Sequence, residues 1–350
     1  MVAVALALML ALLGLGSTQG SLAHAAQSAT SRPQLVVIDT DIGDDIDDAF
    51  ALGLALQSPE LKVLGVTTAF GNTKLRARLA ERYVEAAGRV DIPVAAGVHT
   101  VTANPMTQAA YARRGPERKY ADGVAFLLDQ IRAHPGEVTL IAIGPLFNVQ
   151  AAIARDATTF RKLKRVVMMG GSIERGYDDA KTGARRPPDA EWNILQDPKG
   201  AQALLAAGVP IFMMPLDSTQ IHLEEPERDA IFAHGSPVTD QITLLYHQWK
   251  VGNWAHSPTP TLFDPVAVTY AFRPEMCPVQ PMRIEVDDKG FTRRTAGPAN
   301  AEVCLRSDEA GFLRLLQERL TGRMPRALGR GKTVSNNKSD MRALGHMQLH

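Results

Sequence analysis

The sequence is poor in cysteine, since its 350 residues include only Cys277 and Cys304. Neither has the spacing of a zinc site, so a zinc centre built on cysteine is excluded. In an oxidising compartment the two can form a disulfide if the segments that carry them are neighbours. Two buried free thiols are an alternative of at least equal weight.

The chain also lacks a strong charge of either sign, with a formal net charge of +1 and basic residues that are scattered. This balance argues against nucleic acid or a membrane surface as the main partner. The chain shows no internal repeat and no obvious linker. Its 45% hydrophobic and 21% charged residues are typical of a globular protein, and we predict a single domain over residues 32–325.

The two ends differ from this domain. Val2 to Leu15 is almost entirely apolar, and the small-residue stretch after it includes Ala23-His24-Ala25. Residues 1–31 are therefore predicted to be a signal peptide and linker, cleaved near Ala25, which predicts a periplasmic or secreted protein. No Lys or Arg precedes the apolar run, which leaves a membrane anchor or a misassigned start as the alternative. Residues 326–350 are predicted to be a disordered tail.

Short apolar runs alternate with helical patterns along most of the chain. Leu35–Ile38 predicts a buried strand, and Asp47–Leu56 predicts a helix with acidic residues in its first turn. The alternation continues with strands at Leu61–Thr68, Val138–Ile143, Val166–Met169 and Val209–Met214, and helices at Leu75–Ala87, Phe147–Ala154 and Gly200–Ala207. This pattern predicts the α/β class, with a mostly parallel, doubly wound (Rossmann-like) sheet flanked by helices. A small β-hairpin within Met282–Cys304 and a helix at Glu309–Leu320 follow.

Six aspartates crowd the ten positions from Asp39 to Asp48, directly after the first predicted strand. Like charges this close raise each other's pKa, so the cluster needs a counter-charge. A hard divalent cation supplies one, and Ca²⁺ prefers cages made of oxygen ligands. Ligands of such sheets bind beyond the carboxyl ends of the strands, which is where this cluster lies. The sequence therefore predicts a calcium site at the centre of an active site.

Two other interpretations of the acidic run were weighed. Helix capping explains one or two aspartates at the start of a helix but not six. A strand that ends in Asp-X-Asp also opens the haloacid-dehalogenase-type phosphatases. Those proteins usually have Thr or Val where Gly43 stands, and they need a later Lys and acidic pair that the sequence does not offer convincingly.

Several further motifs follow in a fixed order. After Asp39-Thr40-Asp41-Ile42-Gly43 and Asp47-Asp48-Ala49 come Thr67 to Asn72, Ile143 to Asn148, Met168 to Gly171, Ala190 to Asn193, and Phe263-Asp264-Pro265. Together they resemble the motifs of the nucleoside hydrolases, the inosine–uridine-preferring N-ribohydrolases. The resemblance covers Gln34 to Leu320. It implies a nucleoside hydrolase-like fold, cleavage of the N-glycosidic bond of ribonucleosides to ribose and free base, and a homo-oligomer.

The resemblance also implies roles for single residues. Asp41 is the expected general base, which takes a proton from the attacking water, and it also contacts the metal. The other expected calcium ligands are Asp48, Asp264 and the backbone carbonyl of Ile143. Substrate contacts are expected from Asp47, Glu191 and Asn193 on the ribose and from Asn72 in the pocket wall. Asp39 is expected to support the metal ligands from behind.

The sequence departs from the family pattern in three places. The loop after Gly43 is two residues longer than usual, so Asp45 is the second choice for the role of Asp47 or Asp48. An expected ribose-contacting Asn is absent, and Tyr177 stands near its place. Many members carry a His before the final Asp, where Phe263 stands here. Phe263 can stack on the base or be a core residue, and His256 is another candidate proton donor. These departures leave a non-catalytic periplasmic module that binds nucleosides or ribose as the alternative function.

Overall fold

The computed structural model describes residues 32–179, 182–252 and 257–322. The predicted signal peptide, the predicted tail and His256 therefore lie outside the described residues. Helices and strands alternate through the first half of the described chain, as the apolar runs predict, whereas several helices follow one another in the second half. No helix within these ranges is long and apolar enough to cross a bilayer.

The first half of the chain supplies five strands and five helices. In chain order they are β1 (Gln34–Thr40), α1 (Asp47–Leu56), β2 (Leu61–Thr68), α2 (Thr73–Ala86), β3 (Val94–Ala96), α3 (Ala109–Arg113), β4 (Ala121–Asp122), α4 (Gly123–Ala133), β5 (Thr139–Ile143) and α5 (Phe147–Phe160). The predicted bounds agree within a few residues, but β1 extends two residues beyond the apolar run. Asp39 and Thr40 therefore belong to the strand, and Asp41 is the first residue after it.

The second half begins with β6 (Arg165–Met169), α6 (Trp192–Gln196), α7 (Pro198–Leu205), β7 (Ile211–Met214), α8 (Leu216–Thr219), α9 (Glu225–Phe232), α10 (Pro237–Gly252) and α11 (Phe263–Phe272). A 3₁₀ turn at Pro274–Met276 leads to β8 (Val279–Val286), β9 (Thr292–Thr295), β10 (Ala301–Cys304) and α12 (Glu309–Thr321). The predicted hairpin corresponds to β8 and β9.

The strands form one ten-stranded sheet in the order β4-β3-β2-β1-β5-β6-β7-β10-β8-β9. From β4 to β10 every neighbouring pair is parallel, and the pairs β10–β8 and β8–β9 are antiparallel. The prediction of a mostly parallel α/β sheet is therefore confirmed. The hairpin is not separate, because β10 returns to pair with β7 and attaches the hairpin to the sheet.

Helices bury an apolar layer on each face of the sheet. One layer packs residues of α1, α2, α10, α11 and α12, among them Phe50, Tyr83 and Phe312, against β1, β2 and β6. The other packs α4, α5 and α7 against the opposite face, with Leu128, Val149 and Leu204 at its centre. Both faces of the central strands are thus buried, which explains why their sequences are continuous apolar runs.

Cys277 and Cys304 form a disulfide, with Cα atoms 5.7 Å apart. The bond joins the turn after α11 to the end of β10 and closes the segment that contains the hairpin. The open question of pairing or free thiols is therefore answered in favour of pairing.

We predict that replacing both cysteines with serine lowers the free energy of unfolding by about 3 kcal/mol, because the cross-link restricts the unfolded chain. Denaturant unfolding measures the loss. Dithiothreitol should destabilise the wild type by the same amount and leave the double variant unchanged. A wild type that unfolds at the same denaturant concentration with and without reductant would contradict this.

Candidate active site and metal centre

The acidic cluster lies at the carboxyl end of β1, in the middle of the sheet. β1 pairs with β2 on one side, with Asp39 opposite Thr67, and with β5 on the other, with Thr40 opposite Ile143. The chain passes from β1 to β2 in one direction and reaches β5 in the other. This is the topological switch point at which doubly wound sheets bind their ligands.

Three carboxylates meet at this point. Asp47 and Asp48 belong to the first turn of α1, and Asp264 belongs to the first turn of α11. Each offers one oxygen, and these oxygens all lie within 4.8 Å of one another. The backbone N–H of Asp264 also donates to the Asp47 carboxylate at 3.2 Å. Both helices direct their amino ends, where the helix dipole is positive, at the group.

The geometry of the three carboxylates fits a calcium ion. Two oxygens that bind one Ca²⁺ at about 2.4 Å are separated by at most about 4.8 Å. All three side chains are buried and offer only oxygen, the donor atom that hard cations prefer. The residues present therefore fit a divalent cation. The group that meets here contains Asp47, which the sequence assigned to the ribose, and does not contain Asp41 or Asp45.

The electrostatics of the site show the same need for a counter-charge. Burial first, and then repulsion from neighbouring carboxylates including Asp41, raises the pKa of Asp47, Asp48 and Asp264 well above the ordinary value. Burial likewise raises the pKa of Asp41 to about 7, although the nearby Arg76 guanidinium opposes the shift. A bound cation would favour the ionised carboxylates and so oppose these shifts.

Asp41, the expected general base, occupies a tight position between two strand ends. A Cβ atom on Gly144, just after β5, would lie 2.9 Å from the backbone N and from the Oδ1 atom of Asp41. Only glycine leaves room for this approach. On the other side, Arg76 donates to the backbone carbonyl of Asp41. The main chain of Asp41 is thus held from two directions.

Two neighbours on β1 support the site through hydrogen bonds. The Thr40 hydroxyl donates to the Asp48 carboxylate and accepts the Ile42 N–H at 3.1 Å. Asp39 accepts from the Thr67 hydroxyl at 2.5 Å and from the Asn148 side-chain amide at 2.6 Å. Both bonds reach Oδ1 of Asp39, and its buried Oδ2 has no hydrogen-bond partner among the described residues. The supporting role expected for Asp39 stays a prediction.

Glu191 and Asn193 lie at the start of α6, beside the end of β6. Glu191 caps this helix and accepts backbone N–H groups from Asn193 at 2.9 Å, Ile194 at 3.2 Å and Gly171 at 2.9 Å. Burial raises its pKa to about 7. The side-chain amide of Asn193 donates to the Met169 carbonyl at 3.2 Å. The side-chain carbonyl oxygen of Asn193 forms no hydrogen bond to the residues that the structure describes. The main-chain contacts fix both side chains before a substrate arrives.

Aromatic rings line the same end of the sheet. Tyr177 packs edge-on against Phe263, with ring centroids 6.0 Å apart, and its hydroxyl accepts the Trp192 N–H at 2.9 Å. Tyr177 therefore spans the distance between the Glu191 region and the residue that precedes Asp264. Phe263 is only partly buried, so its ring is not wholly part of the core. Phe70 continues the group, edge-on to Trp192 at 6.0 Å.

Asn72 has a structural task that the sequence interpretation did not assign. It is exposed and caps α2 by accepting the Leu75 N–H at 3.1 Å. It also borders a groove of about 460 Å³ whose wall includes His99 and Met106. The contact of Asn72 with the substrate stays a prediction.

Sequence reasoning missed the residues that hold the loop between β1 and α1. Gln108 donates to the Asp45 carbonyl at 2.7 Å and Thr107 to the Asp44 carbonyl at 2.6 Å. Arg76, on α2, binds the loop from the other side. The sequence did carry a signal for Arg76, because this charged residue stands among the buried positions of α2, such as Ala77 and Ala80.

Comparison with known proteins identifies the scaffold. The family model described as inosine-uridine preferring nucleoside hydrolase matches residues 36–314. The chain belongs to this family. It is an enzyme of the nucleoside hydrolase class, in which the N-glycosidic bond of a nucleoside is hydrolysed.

Relatives of this nucleoside hydrolase match it over most of their own length. The pyrimidine-specific ribonucleoside hydrolase RihA of Citrobacter koseri is 32% identical, covering 81% of this chain and 97% of the relative. Uridine nucleosidase 1 of Arabidopsis thaliana is 30% identical, covering 73% and 79%. Among solved structures, a plant nucleoside hydrolase superposes with a TM-score of 0.74 at 27% identity, covering 83% of this chain and all of that chain.

The raised pKa values predict how stability depends on pH and metal. Asp39, Asp41 and Glu191 have a pKa of about 6, 7 and 7 in the folded protein, above their ordinary values. The metal-free folded state therefore binds more protons than the unfolded chain. The free energy of unfolding accordingly falls as pH rises from about 4 to about 7, the range in which these groups titrate. Because a cation binds the deprotonated carboxylates, the rise in melting temperature on adding Ca²⁺ should grow from pH 5 to pH 8.

Thermal unfolding with and without Ca²⁺ at each pH measures this rise in melting temperature. A Ca²⁺ concentration of about 100 times the dissociation constant should add about 2.7 kcal/mol to the free energy of unfolding. Asp264→Asn should lose most of the effect. Asp217→Asn is the matched control, because Asp217 binds two backbone N–H groups at a different strand end. An equal rise at both pH values would contradict the prediction.

Proposed function

We propose that this protein hydrolyses ribonucleosides to ribose and free base with the help of one Ca²⁺ ion, by attack of a water molecule that Asp41 deprotonates. The observation that carries the proposal is the buried trio Asp47, Asp48 and Asp264 beside Asp41, in a chain of this family. The all-oxygen donors support calcium over softer metals. Family membership favours an enzyme over the binding-module alternative.

The metal ligands are proposed to be Asp41, Asp48, Asp264 and the backbone carbonyl of Ile143, and Asp47 offers a further carboxylate oxygen at the same point. The position of Ile143 at the end of β5, opposite Thr40, supports a role for its main chain, because its side chain belongs to the core. When bound, the cation lowers the pKa of a coordinated water and neutralises part of the acidic charge.

Asp41 is suited to remove the proton of the attacking water. A general base must be ionised before it can accept a proton, and a bound cation would favour the ionised form of Asp41, whereas burial alone favours the neutral form. The main chain of Asp41 is fixed between Gly144 and Arg76, so the carboxylate has a defined direction. This fixed position supports Asp41 as the base.

Cleavage of the ribose–base bond builds positive charge on the sugar, as in other glycoside hydrolyses. Asp47, a member of the trio, is proposed to bind the ribose hydroxyls together with Glu191 and Asn193. The negative charge of Asp47 and the neighbouring carboxylates favours the cationic sugar over the neutral substrate. The departing base is proposed to stack on Phe263, whose ring is backed by Tyr177.

The test is release of free ribose from a panel of nucleosides. Uridine and cytidine come first, because relatives at 30–32% identity are named uridine nucleosidase and pyrimidine-specific hydrolase. Inosine and adenosine complete the panel. Tight binding of nucleosides without ribose release from any of them would favour the binding-module alternative.

We also propose that the protein is exported. The apolar segment Val2 to Leu15 and the small residues up to Ala25 support a cleaved signal peptide. The disulfide Cys277–Cys304 supports an oxidising compartment such as the periplasm. Mass measurement of the protein secreted from its host tests cleavage near Ala25. The homo-oligomer stays a prediction.

Replacing Asp41 with Asn should lower kcat by about 1,000-fold, within the usual range for loss of a general base, because the amide cannot accept the proton. Calorimetry should show that Ca²⁺ still binds, or binds only more weakly, through Asp48 and Asp264. Asp91→Asn is the matched control, since Asp91 is an exposed residue paired with Arg89. Near-normal turnover of Asp41→Asn would refute the assigned role.

Replacing Phe263 with His should broaden the range of bases that are released, because imidazole can protonate a leaving base that Phe263 can only stack on. The kcat/KM values for the nucleoside panel measure the change. Phe263→Leu is the control that removes the ring without adding an acid. If Phe263→His and the wild type have the same relative kcat/KM values across the nucleoside panel, protonation of the base does not limit the reaction.

A further inference from the structure

Arg76 is buried beside the acidic loop, with 2% of its surface exposed. Its Nε donates to the Phe70 carbonyl at 2.8 Å, and one Nη donates to the carbonyls of Asp41 and Ile42, the latter at 3.1 Å. The other Nη pairs with the Asp44 carboxylate at 2.6 Å. Four of the five N–H groups of a guanidinium are therefore used in one place.

These contacts bind two segments that are distant in sequence. Asp41, Ile42 and Asp44 belong to the loop between β1 and α1, and Phe70 follows β2. The backbone of Phe70 has φ of +63°, a left-handed conformation that a residue other than glycine adopts only when its surroundings impose it. Arg76 accordingly fixes the carbonyl of a strained residue and the carbonyl of the expected base with the same planar group.

Asp44 orients the guanidinium. It lies in the loop between β1 and α1, and it is not one of the three carboxylates that meet around the metal position. The pair Arg76–Asp44 is shielded, with 3% and 24% of the side chains exposed. Asp44 is thus the anchor of Arg76.

We propose that Arg76, anchored by Asp44, is a positioning residue that holds the main chain of Asp41 so that its carboxylate faces the attacking water. The proposal rests on the function proposed above. The hydrogen bonds of Arg76 to the described residues go to Phe70, Asp41, Ile42 and Asp44, and Arg76 acts through the carbonyls of Asp41 and Ile42. A planar fork reaches several acceptors at once, which the ammonium group of lysine cannot do.

Loss of Arg76 should leave the loop folded but misplaced. The opposite side of the loop stays tied by Thr107 to the carbonyls of Gly43 and Asp44 and by Gln108 to that of Asp45. A displacement of about 1 Å at a catalytic group costs about 100-fold in rate. The effect is therefore expected in kcat, with the binding of nucleoside nearly unchanged.

The experiment compares kcat and KM for Arg76→Gln, Arg76→Lys, Asp44→Asn and the double variant Arg76→Gln/Asp44→Asn in the full-length, calcium-loaded enzyme. Arg165→Gln is the matched control. Arg165 is the first residue of β6 and lies at the amino ends of the strands, whereas the site lies at their carboxyl ends. It donates to the Gln34 side chain and to the Ala271 carbonyl. Thermal unfolding of every variant separates loss of stability from loss of rate.

We expect Arg76→Gln to lower kcat by about 100-fold with KM changed less than about threefold. The kcat of Arg76→Lys should be about tenfold higher than that of Arg76→Gln, because an ammonium group still reaches Asp44. Asp44→Asn should lower kcat by about tenfold, and the double variant should be no worse than Arg76→Gln, since the two residues act as one unit. Arg165→Gln should keep kcat within about threefold even where its melting temperature falls.

The proposal is overturned if Arg76→Gln keeps kcat within threefold, or if its loss of kcat matches that of Arg165→Gln at equal loss of stability. If Arg76→Gln does not fold, a wild-type kcat in both Arg76→Lys and Asp44→Asn overturns it. A wild-type enzyme that releases no ribose refutes the proposed function instead. The positioning of Asp41 is then judged by whether hydrogen exchange of the Ile42 amide, measured on folded protein, rises in Asp44→Asn and not in Arg165→Gln.

Discussion

Repulsion among buried carboxylates is the constraint on which the site depends. Asp41, Asp47, Asp48 and Asp264 lie together at the carboxyl end of β1. Burial raises the pKa of all four carboxyl groups, and the charges of Asp41, Asp47 and Asp48 raise the pKa of their neighbours further. The amino ends of α1 and α11 and the Arg76 guanidinium supply compensating positive charge, and the proposed divalent cation would add to it.

The six aspartates of the acidic run do not act as one cluster. Each has its own partners: Asp39 binds Thr67 and Asn148, Asp41 lies against Gly144, Asp44 pairs with Arg76, Asp45 binds its neighbour Ile46, and Asp47 and Asp48 join Asp264. A short stretch of sequence thus contains the proposed base, proposed metal ligands and residues that support them. The tight turn allowed by Gly43, at φ of +128°, lets consecutive carboxylates point in different directions.

Most of the fold could be predicted because its signals are local. Continuous apolar runs such as Leu61–Thr68 gave strand positions within a few residues, and the helix at Asp47–Leu56 was placed at its observed bounds. The place of β10 between β7 and β8 was not predicted. Strand order depends on which buried surfaces meet, and neither the length nor the composition of β10 indicates its neighbour. The disulfide was left open for the same reason, because pairing depends on the distance between segments.

The sequence by itself determined the α/β class and the family, and it supplied the residues proposed to carry the chemistry, because these follow from local periodicity and from short ordered motifs. Only the tertiary structure decided which carboxylates meet, since Asp264 is 217 residues from its hydrogen-bond partner Asp47. It also revealed Arg76, whose contacts reach back 35 residues to Asp41. The physical reason is that burial, charge compensation and hydrogen bonding act over a few ångströms in space, whatever the separation along the chain.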